Sequence, residues 1–311
     1  MRRHLYIIAA IACMAWACET LPTSPDQIPD TSYRAVTAIG KALEECPSVG
    51  HIYSDSCMTV APGVLQTNLH IQTAEAKVEH IFFLTLDLRL ARMKVATPED
   101  AYVPGRLLKP SEMAEASGLD VLAVIGGDAW DSSSGEVCGP VHKGGKILKE
   151  SFIWSTAIED QAVSFFGMDA EGCPVIRDSS EYRAVRNTLE ECTGSGVIVV
   201  KDGCLADGGS FLEYSPYRLP RTCVGYTADG SIMYVFVCDG KRALWSDGML
   251  YEEMGDIMLS LGCSWAASLG NGEYSQMLTK EAPSGILKLR NRTSDGAEYP
   301  TADAWMIIPA I

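Results

Sequence analysis

Four short stretches of this 311-residue chain bring acids, an arginine and glycines together at spacings that suit chemistry on a polar ligand. The first, Ala123-Val124-Ile125-Gly126-Gly127-Asp128-Ala129-Trp130, is an apolar run ending in two glycines, an acid and an aromatic. Glycines there let the backbone turn tightly and approach a ligand closely, although a plain strand-end turn uses the same residues. The second is Pro220-Arg221-Thr222-Cys223-Val224-Gly225. An arginine at the mouth of an apolar strand suits bidentate recognition of phosphate or carboxylate, or else an ordinary surface salt bridge. The third opens with Ser246-Asp247-Gly248 and resumes at Leu269-Gly270-Asn271-Gly272-Glu273-Tyr274-Ser275. The fourth is Asn291 to Pro300, containing Ser294-Asp295-Gly296, with Asp303 just beyond. Carboxylates in these stretches are candidates for proton transfer, and Arg221 for neutralising an anionic group.

These groups need elements to hold them. Ile81 to Leu90 alternates Leu84, Leu86, Leu88 and Leu90 with Thr85, Asp87 and Arg89, which predicts a strand with one wet face. Val121 to Ile125, Gly196 to Val200 and Ile232 to Cys238 are continuous apolar runs, expected as strands covered on both faces. The last is entered through Ala228-Asp229-Gly230 and left through Asp239-Gly240. Leu250, Met254, Ile257, Met258 and Leu261 share a helical face, with Ser246 or Asp247 as the expected cap and Gly262 as the stop. Ser111 to Ala116 and Glu181 to Cys192 are two further helix expectations. Strands outnumber helices and cluster in runs, so the expected class is α+β, with a mixed, mainly antiparallel sheet and a few packing helices.

In their order along the chain, the four stretches resemble the phosphodiester glycosidase family over roughly Thr67 to Ile308. Pro220-Arg221-Thr222, the Asp239-Gly240 turn and Ser294-Asp295-Gly296 match the family pattern well. Gly126 stands in place of its asparagine, and Ala129-Trp130 in place of two phenylalanines. Gly270 stands in place of an aspartate, Glu273 and Tyr274 in place of a glycine and a serine, and Tyr299 in place of an arginine. The resemblance implies hydrolysis of a sugar phosphodiester or related glycoside, with Asp128 as base or nucleophile and Glu273 substituting for the lost aspartate. Asp247 is a further catalytic candidate. Substrate contacts are implied at Gly127, Arg221, Thr222, Ser246, Asn271, Ser275 and Asp303, with Arg221 holding phosphate. The departures support a second expectation: a catalytically inactive carbohydrate-binding or scaffold protein of the same fold, with Trp130, Trp265 and Tyr274 stacking on sugar faces. The expected partner in either case is a carbohydrate or sugar phosphate. No cofactor is assigned. Acidic loops leave a divalent cation open, though no recognisable calcium loop is present.

The N-terminus predicts export. Arg2 and Arg3 precede an apolar run from Leu5 to Trp16 that is too short to span a bilayer comfortably. Ala15-Trp16-Ala17-Cys18 places small residues before a cysteine, as in a bacterial lipoprotein signal with Cys18 lipidated. The expected layout is a signal over 1–17, a tether over 18–35, an extension over 36–66 and the family-like domain over 67–311. It lies at the cell envelope, with a lipid anchor in a bacterial membrane. A formal net charge of −15 disfavours nucleic acid as a partner. Eleven cysteines in an exported chain predict disulfides, with Cys46 and Cys57 a plausible pair and at least one thiol left over. Zinc is disfavoured because no Cys-x-x-Cys or His-x-x-x-His spacing occurs. Cys223 and Cys238 sit in apolar runs and read as core residues.

Overall fold

Unbroken apolar strands need cover on both faces, and that requirement sets the architecture. The computed structural model describes residues 32–99, 101–154, 162–206 and 217–310. The signal segment, Cys18 and the tether up to residue 31 lie outside the described residues. The largest sheet runs Val49–Ala61, Val64–Thr73, Val78–Asp87, Ile232–Cys238, Arg221–Thr227, Cys263–Ser268, Ile198–Lys201 and Cys204–Leu205. Side chains on its central strands alternate between two cores. Phe82, Leu84, Leu86, Val224, Val235 and Val237 enter one. Ile81, Phe83, Cys223, Phe236 and Cys238 enter the other, which the helices Ala38–Leu43 and Tyr251–Ser260 close.

The first core is shared with two five-stranded sheets. One runs Lys146–Lys149, Val141–Lys143, Leu189–Ser195, Ser164–Asp169 and Pro174–Asp178. The other runs Leu287–Leu289, Met277–Lys280, Ala123–Gly126, Ala304–Pro309 and Ala91–Ala96. The fold is therefore α+β as expected. The sheets are antiparallel rather than mixed, for no parallel pair occurs among the described residues.

Several local expectations are corrected by packing. The strand expected to reach Leu90 ends at Asp87, and Ile81 to Leu84 are buried on both faces. Within 181–192 a single α-helical turn, Tyr182–Val185, and a 3-10 turn, Arg186–Thr188, form before the chain turns to strand, because Leu189–Ser195 is recruited between two other strands. The Tyr251–Ser260 helix is not capped by Ser246 or Asp247. It starts later, with the Glu253 carboxylate accepting from Leu250 N at 2.9 Å. All nine described cysteines are free, Cys46 and Cys57 included. Cys46 is packed in the helix-side core while Cys57 stands exposed on an edge strand, so the two cannot meet. Cys223 and Cys238 are core residues, as read.

The segment 36–66 supplies the first helix and much of the edge hairpin of the largest sheet. The end of the tether is also held: Tyr33 Oη donates to Asp55, which further accepts from the Val36 and Thr37 amides. Among the described residues no helix is long and apolar enough to cross a membrane.

Candidate active site

The candidate site grows from one antiparallel pairing. Ala123–Gly126 lies between Met277–Lys280 and Ala304–Pro309, with Gly126 opposite Ala304. That register brings Asp303, the residue before Ala304, beside Gly127 and Asp128. The Asp128 amide donates to Asp303 Oδ1 at 2.8 Å. A Cβ on residue 127 would collide with that same oxygen, so only glycine fits there. Asp128 Oδ2 in turn accepts from the Gly139 amide. Two acids are thus held as neighbours in a nearly dry place: Asp128 is 5% exposed and Asp303 0%.

Burial is the main reason both acids bind a proton more tightly than an ordinary carboxylate. It pushes Asp128 up to about 8, with the neighbouring Asp303 adding to the effect. Burial likewise pushes Asp303 up to about 7. Opposing this are the amides of Gly139 and Asp128 and the ammonium of Lys149. Lys149 is itself buried, donates to the Gly139 and Ser151 carbonyls, and lies 3.8 Å from Glu136. Burial lowers its affinity for a proton. Near neutral pH the carboxyl pair therefore retains a proton: one member can donate while the other accepts.

A family model described as phosphodiester glycosidase matches residues 120–308, which include this pair and all four sequence stretches. The chain belongs to the phosphodiester glycosidase family. The zebrafish N-acetylglucosamine-1-phosphodiester alpha-N-acetylglucosaminidase catalytic domain, auto-inhibited by its pro-peptide, is similar in fold. It has a TM-score of 0.62 at 13% identity, over 82% of this chain and 88% of that one. A Synechocystis protein described as hypothetical gives 0.59 at 10% identity, over 83% of this chain and 64% of its own. A protein from Burkholderia pseudomallei K96243 gives 0.55 at 12%, covering 85% and 98%. At these identities the likeness is one of fold. No curated protein matches by sequence.

The position of the family's missing aspartate is filled by backbone. Gly270 N donates to Gly127 O at 2.8 Å, and a Cβ on residue 270 would lie 2.8 Å from the Asp128 carbonyl. Glu273, expected to substitute, is exposed beside Tyr299 and stands apart from the buried pair. The polar turn it belongs to does border the site. Asn271 Oδ1 accepts from the Thr222 amide at 3.3 Å, and Thr222 and Ser275 are buried with hydroxyl oxygens that have no partner in the protein. Asp303 Oδ2 and Trp130 Nε1 are in the same condition.

Arg221 does not face the pair. Strand alternation places it on the helix side with Cys223, whereas Thr222 shares the other face with Val224. Its guanidinium is fully buried, donates to the Met249 and Tyr217 carbonyls at 3.2 and 3.1 Å, and lies 4.1 Å from the Tyr251 ring. Ser246 and Asp247 are likewise spent on architecture. The Ser246 hydroxyl donates to Asp239 O and accepts from His80 N, and Asp247 accepts from Val78 N. Both therefore sit at the start of the Val78–Asp87 strand rather than on the carboxyl pair.

Some residues of the site carried no sequence signal of their own. Lys149 belongs to no motif; it donates to the carbonyl of Gly139, whose amide donates to Asp128, and its charge is felt at Asp128. Asp239 was visible as a turn residue. Its buried carboxylate binds Trp245 Nε1 at 2.8 Å, Asn291 Nδ2 at 3.0 Å and the Arg292 amide. Asn291 also donates to Ser275 O at 2.9 Å, so one acid ties three motif loops together. Trp130 and Tyr274 meet with ring centroids 4.9 Å apart, and Tyr274 and Tyr299 at 5.9 Å. Trp265 does not join them; it carries Arg177 at 4.4 Å on another strand. Among the described residues no group of three or more His, Cys, Asp or Glu side chains is arranged to hold a metal ion.

Proposed function

We propose that this chain is an exported glycosidase acting on a sugar phosphodiester or related glycoside at the cell envelope, tethered by a lipid on Cys18. Family membership supports the reaction class. The observation that carries the reading is the burial of Asp128 and Asp303 side by side, with the Asp128 amide donating to the Asp303 carboxylate; burial raises the affinity of both acids for a proton.

Glycoside cleavage needs an acid for the leaving oxygen and a carboxylate on the anomeric side. Asp128, the more strongly perturbed member, passes its proton to the leaving oxygen as the bond from C1 to that oxygen breaks. Water adds to C1 and gives its proton to the Asp303 carboxylate. The charge of Lys149, felt at both acids, favours the ionised form of the pair and so opposes the effect of burial. No step requires Arg221 or Glu273, in keeping with the burial of one and the exposure of the other.

The rival reading, a carbohydrate-binding protein without turnover, is favoured by Gly270 at the family's aspartate position. A panel of sugar-1-phosphodiesters and simple glycosides, offered to protein lacking residues 1–18 with and without divalent cations, separates the two. Sugar release that disappears in Asp128→Asn and Asp303→Asn supports hydrolysis. No release above those controls, with any sugar, overturns it. Globomycin-sensitive processing and loss of membrane association in Cys18→Ser would support the anchor; unchanged fractionation would remove it.

A further inference from the structure

We propose that the stacked rings of His70, His80 and Trp245 form an acid-sensitive latch, which holds the loops around Asp239 in place while its imidazoles are neutral and releases them when the imidazoles gain protons. The inference stands on geometry outside the Asp128–Asp303 pair and does not need the hydrolytic reading.

Strand register builds the latch. His70 lies opposite His80 in the antiparallel pairing of Val64–Thr73 with Val78–Asp87, so both side chains leave the same face of the largest sheet. Their rings stack with centroids 4.1 Å apart and planes 15° apart. His80 stacks in turn on Trp245 at 3.5 Å and 9°. The Arg292 guanidinium lies 3.6 Å over the same indole. Two groups cannot share one face at those distances, so the indole is sandwiched between imidazole and guanidinium. Tyr53, 4.8 Å from His70, closes the other end of the row.

Trp245 joins this row to the motif loops. Its Nε1 donates to Asp239 at 2.8 Å, and its carbonyl accepts from His80 Nδ1 at 2.7 Å. Asp239 holds Asn291 and the Arg292 amide. Asn291 bonds Ser275 O and the Met277 amide, each at 2.9 Å, and Met277 pairs with Ile125 on the strand that leads to Asp128. The loop carrying Trp245 is strained. Lys241 and Leu244 both take left-handed backbone, at φ 53° and 63°, and Leu244 is 95% exposed. That conformation is costly for residues other than glycine, so it persists only while the surrounding contacts enforce it.

A proton upsets the row. A carbonyl only accepts, so His80 Nδ1 carries the hydrogen of the neutral ring and a second proton must go to Nε2. The imidazolium so formed would stand 4.1 Å from His70 and one ring away from Arg292. An indole attracts a cation, but here its opposite face already holds one. The charged and titratable groups around the row are His51 and Tyr53 on the edge strand, Arg292 at the far end, and Asp239, Arg242 and Asp247 in the loop behind Trp245. Both acids are committed, Asp239 to the bonds above and Asp247 to the Val78 amide. Glu79 points to the opposite face of its strand and pairs with Arg218. Burial first, then the charge of His70, hold His80 at about 4 instead of 6.5, and burial lowers His70 as well. Opening the row frees both rings to take protons at their ordinary value. The closed row is therefore favoured above 6.5 and gives way as the pH falls toward 4.

The test is made on the full chain. It compares wild type, Trp245→Phe, His70→Phe, and His70→Phe combined with His80→Phe, which keeps flat rings but removes both proton sites. The fluorescence difference between wild type and Trp245→Phe follows the stack. Hydrogen exchange over 239–247 and 289–294, corrected for the intrinsic effect of pH, follows the loops. On acidification the Trp245 emission should move to longer wavelength with a midpoint between 6.5 and about 4. Exchange in both segments should quicken about tenfold or more over the same range, with far-ultraviolet circular dichroism unchanged. Both changes should vanish in the double variant. His70→Phe alone, at a half-buried position, leaves one proton to drive opening instead of two and should make the transition less steep. No shift in emission, a shift without faster loop exchange, the same shift in the double variant, unaltered steepness in His70→Phe, or a shift that coincides with loss of secondary structure would each overturn the latch.

Discussion

Asp128→Asn replaces a carboxyl that the fold holds protonated with a neutral group of the same shape, and its consequence should depend on pH. In the folded chain Asp128 is pushed from 3.8 to about 8, chiefly by burial. The folded state therefore keeps a proton that the unfolded chain has already released above pH 4. This contribution to stability is fully present below pH 4 and is lost as the pH rises through 8. Between pH 5 and pH 9 the wild type should lose roughly 4 kcal/mol from this source, at 1.4 kcal/mol for each tenfold change in proton concentration up to the folded value. At 5% exposure there is little solvent to screen the effect. For a domain of this size that is a fall of about 8–12 °C in Tm. The asparagine variant cannot release the proton, so its Tm should stay flatter and exceed that of wild type at pH 9. Histidines and surface acids titrate in both proteins and cancel in the difference. Melting both by circular dichroism at unit steps from pH 5 to 9 checks this. Parallel curves across the range would mean that Asp128 is ionised in the fold and the pair holds no proton.

Hydrolysis, where a substrate is found, should fall above about pH 8 as the pair loses its last proton, and the fall should move in Asp303→Asn; a flat profile to pH 10 would separate activity from the pair. Arg221→Met removes two hydrogen bonds to buried carbonyls and a ring contact, so urea melts should show a loss of about 2–4 kcal/mol; an arginine that grips substrate would instead change KM and leave stability alone. Gly194→Ala puts a methyl into Asp128 Oδ2 with Gly139 behind it, and should cost about 1–3 kcal/mol by thermal melting together with any sugar release. Native alkylation should label Cys57, Cys173 and Cys204 and spare Cys46, Cys138, Cys192, Cys223, Cys238 and Cys263 until the chain is unfolded; early labelling of the second group would contradict the packing.

The legible parts of the fold were those in which local pattern and burial agree. Ile232–Cys238 reads as a doubly covered strand because every position is apolar, and both cores claim it. The Tyr251–Ser260 helix reads from its spacing because one face meets the largest sheet. The Glu181–Cys192 expectation failed where local preference was weak and two neighbouring strands supplied hydrogen-bond partners along Leu189–Ser195. Glu273 and Arg221 were chosen as the charged residues of motif-bearing loops. Motifs do not say which way a side chain points: a period of two turns Arg221 to the helix side, and a polar turn leaves Glu273 in water.

By itself the sequence determined the family, the class of fold and the acid at the end of its central strand, because these depend on residue type and order. Tertiary structure alone decided that Asp303 stands against the Asp128 amide, that Lys149 is buried against Gly139 next to them and that three rings form one strip. Register between distant strands and the packing of three sheets set those distances. The same packing removes the water that would otherwise leave both carboxyl groups ionised.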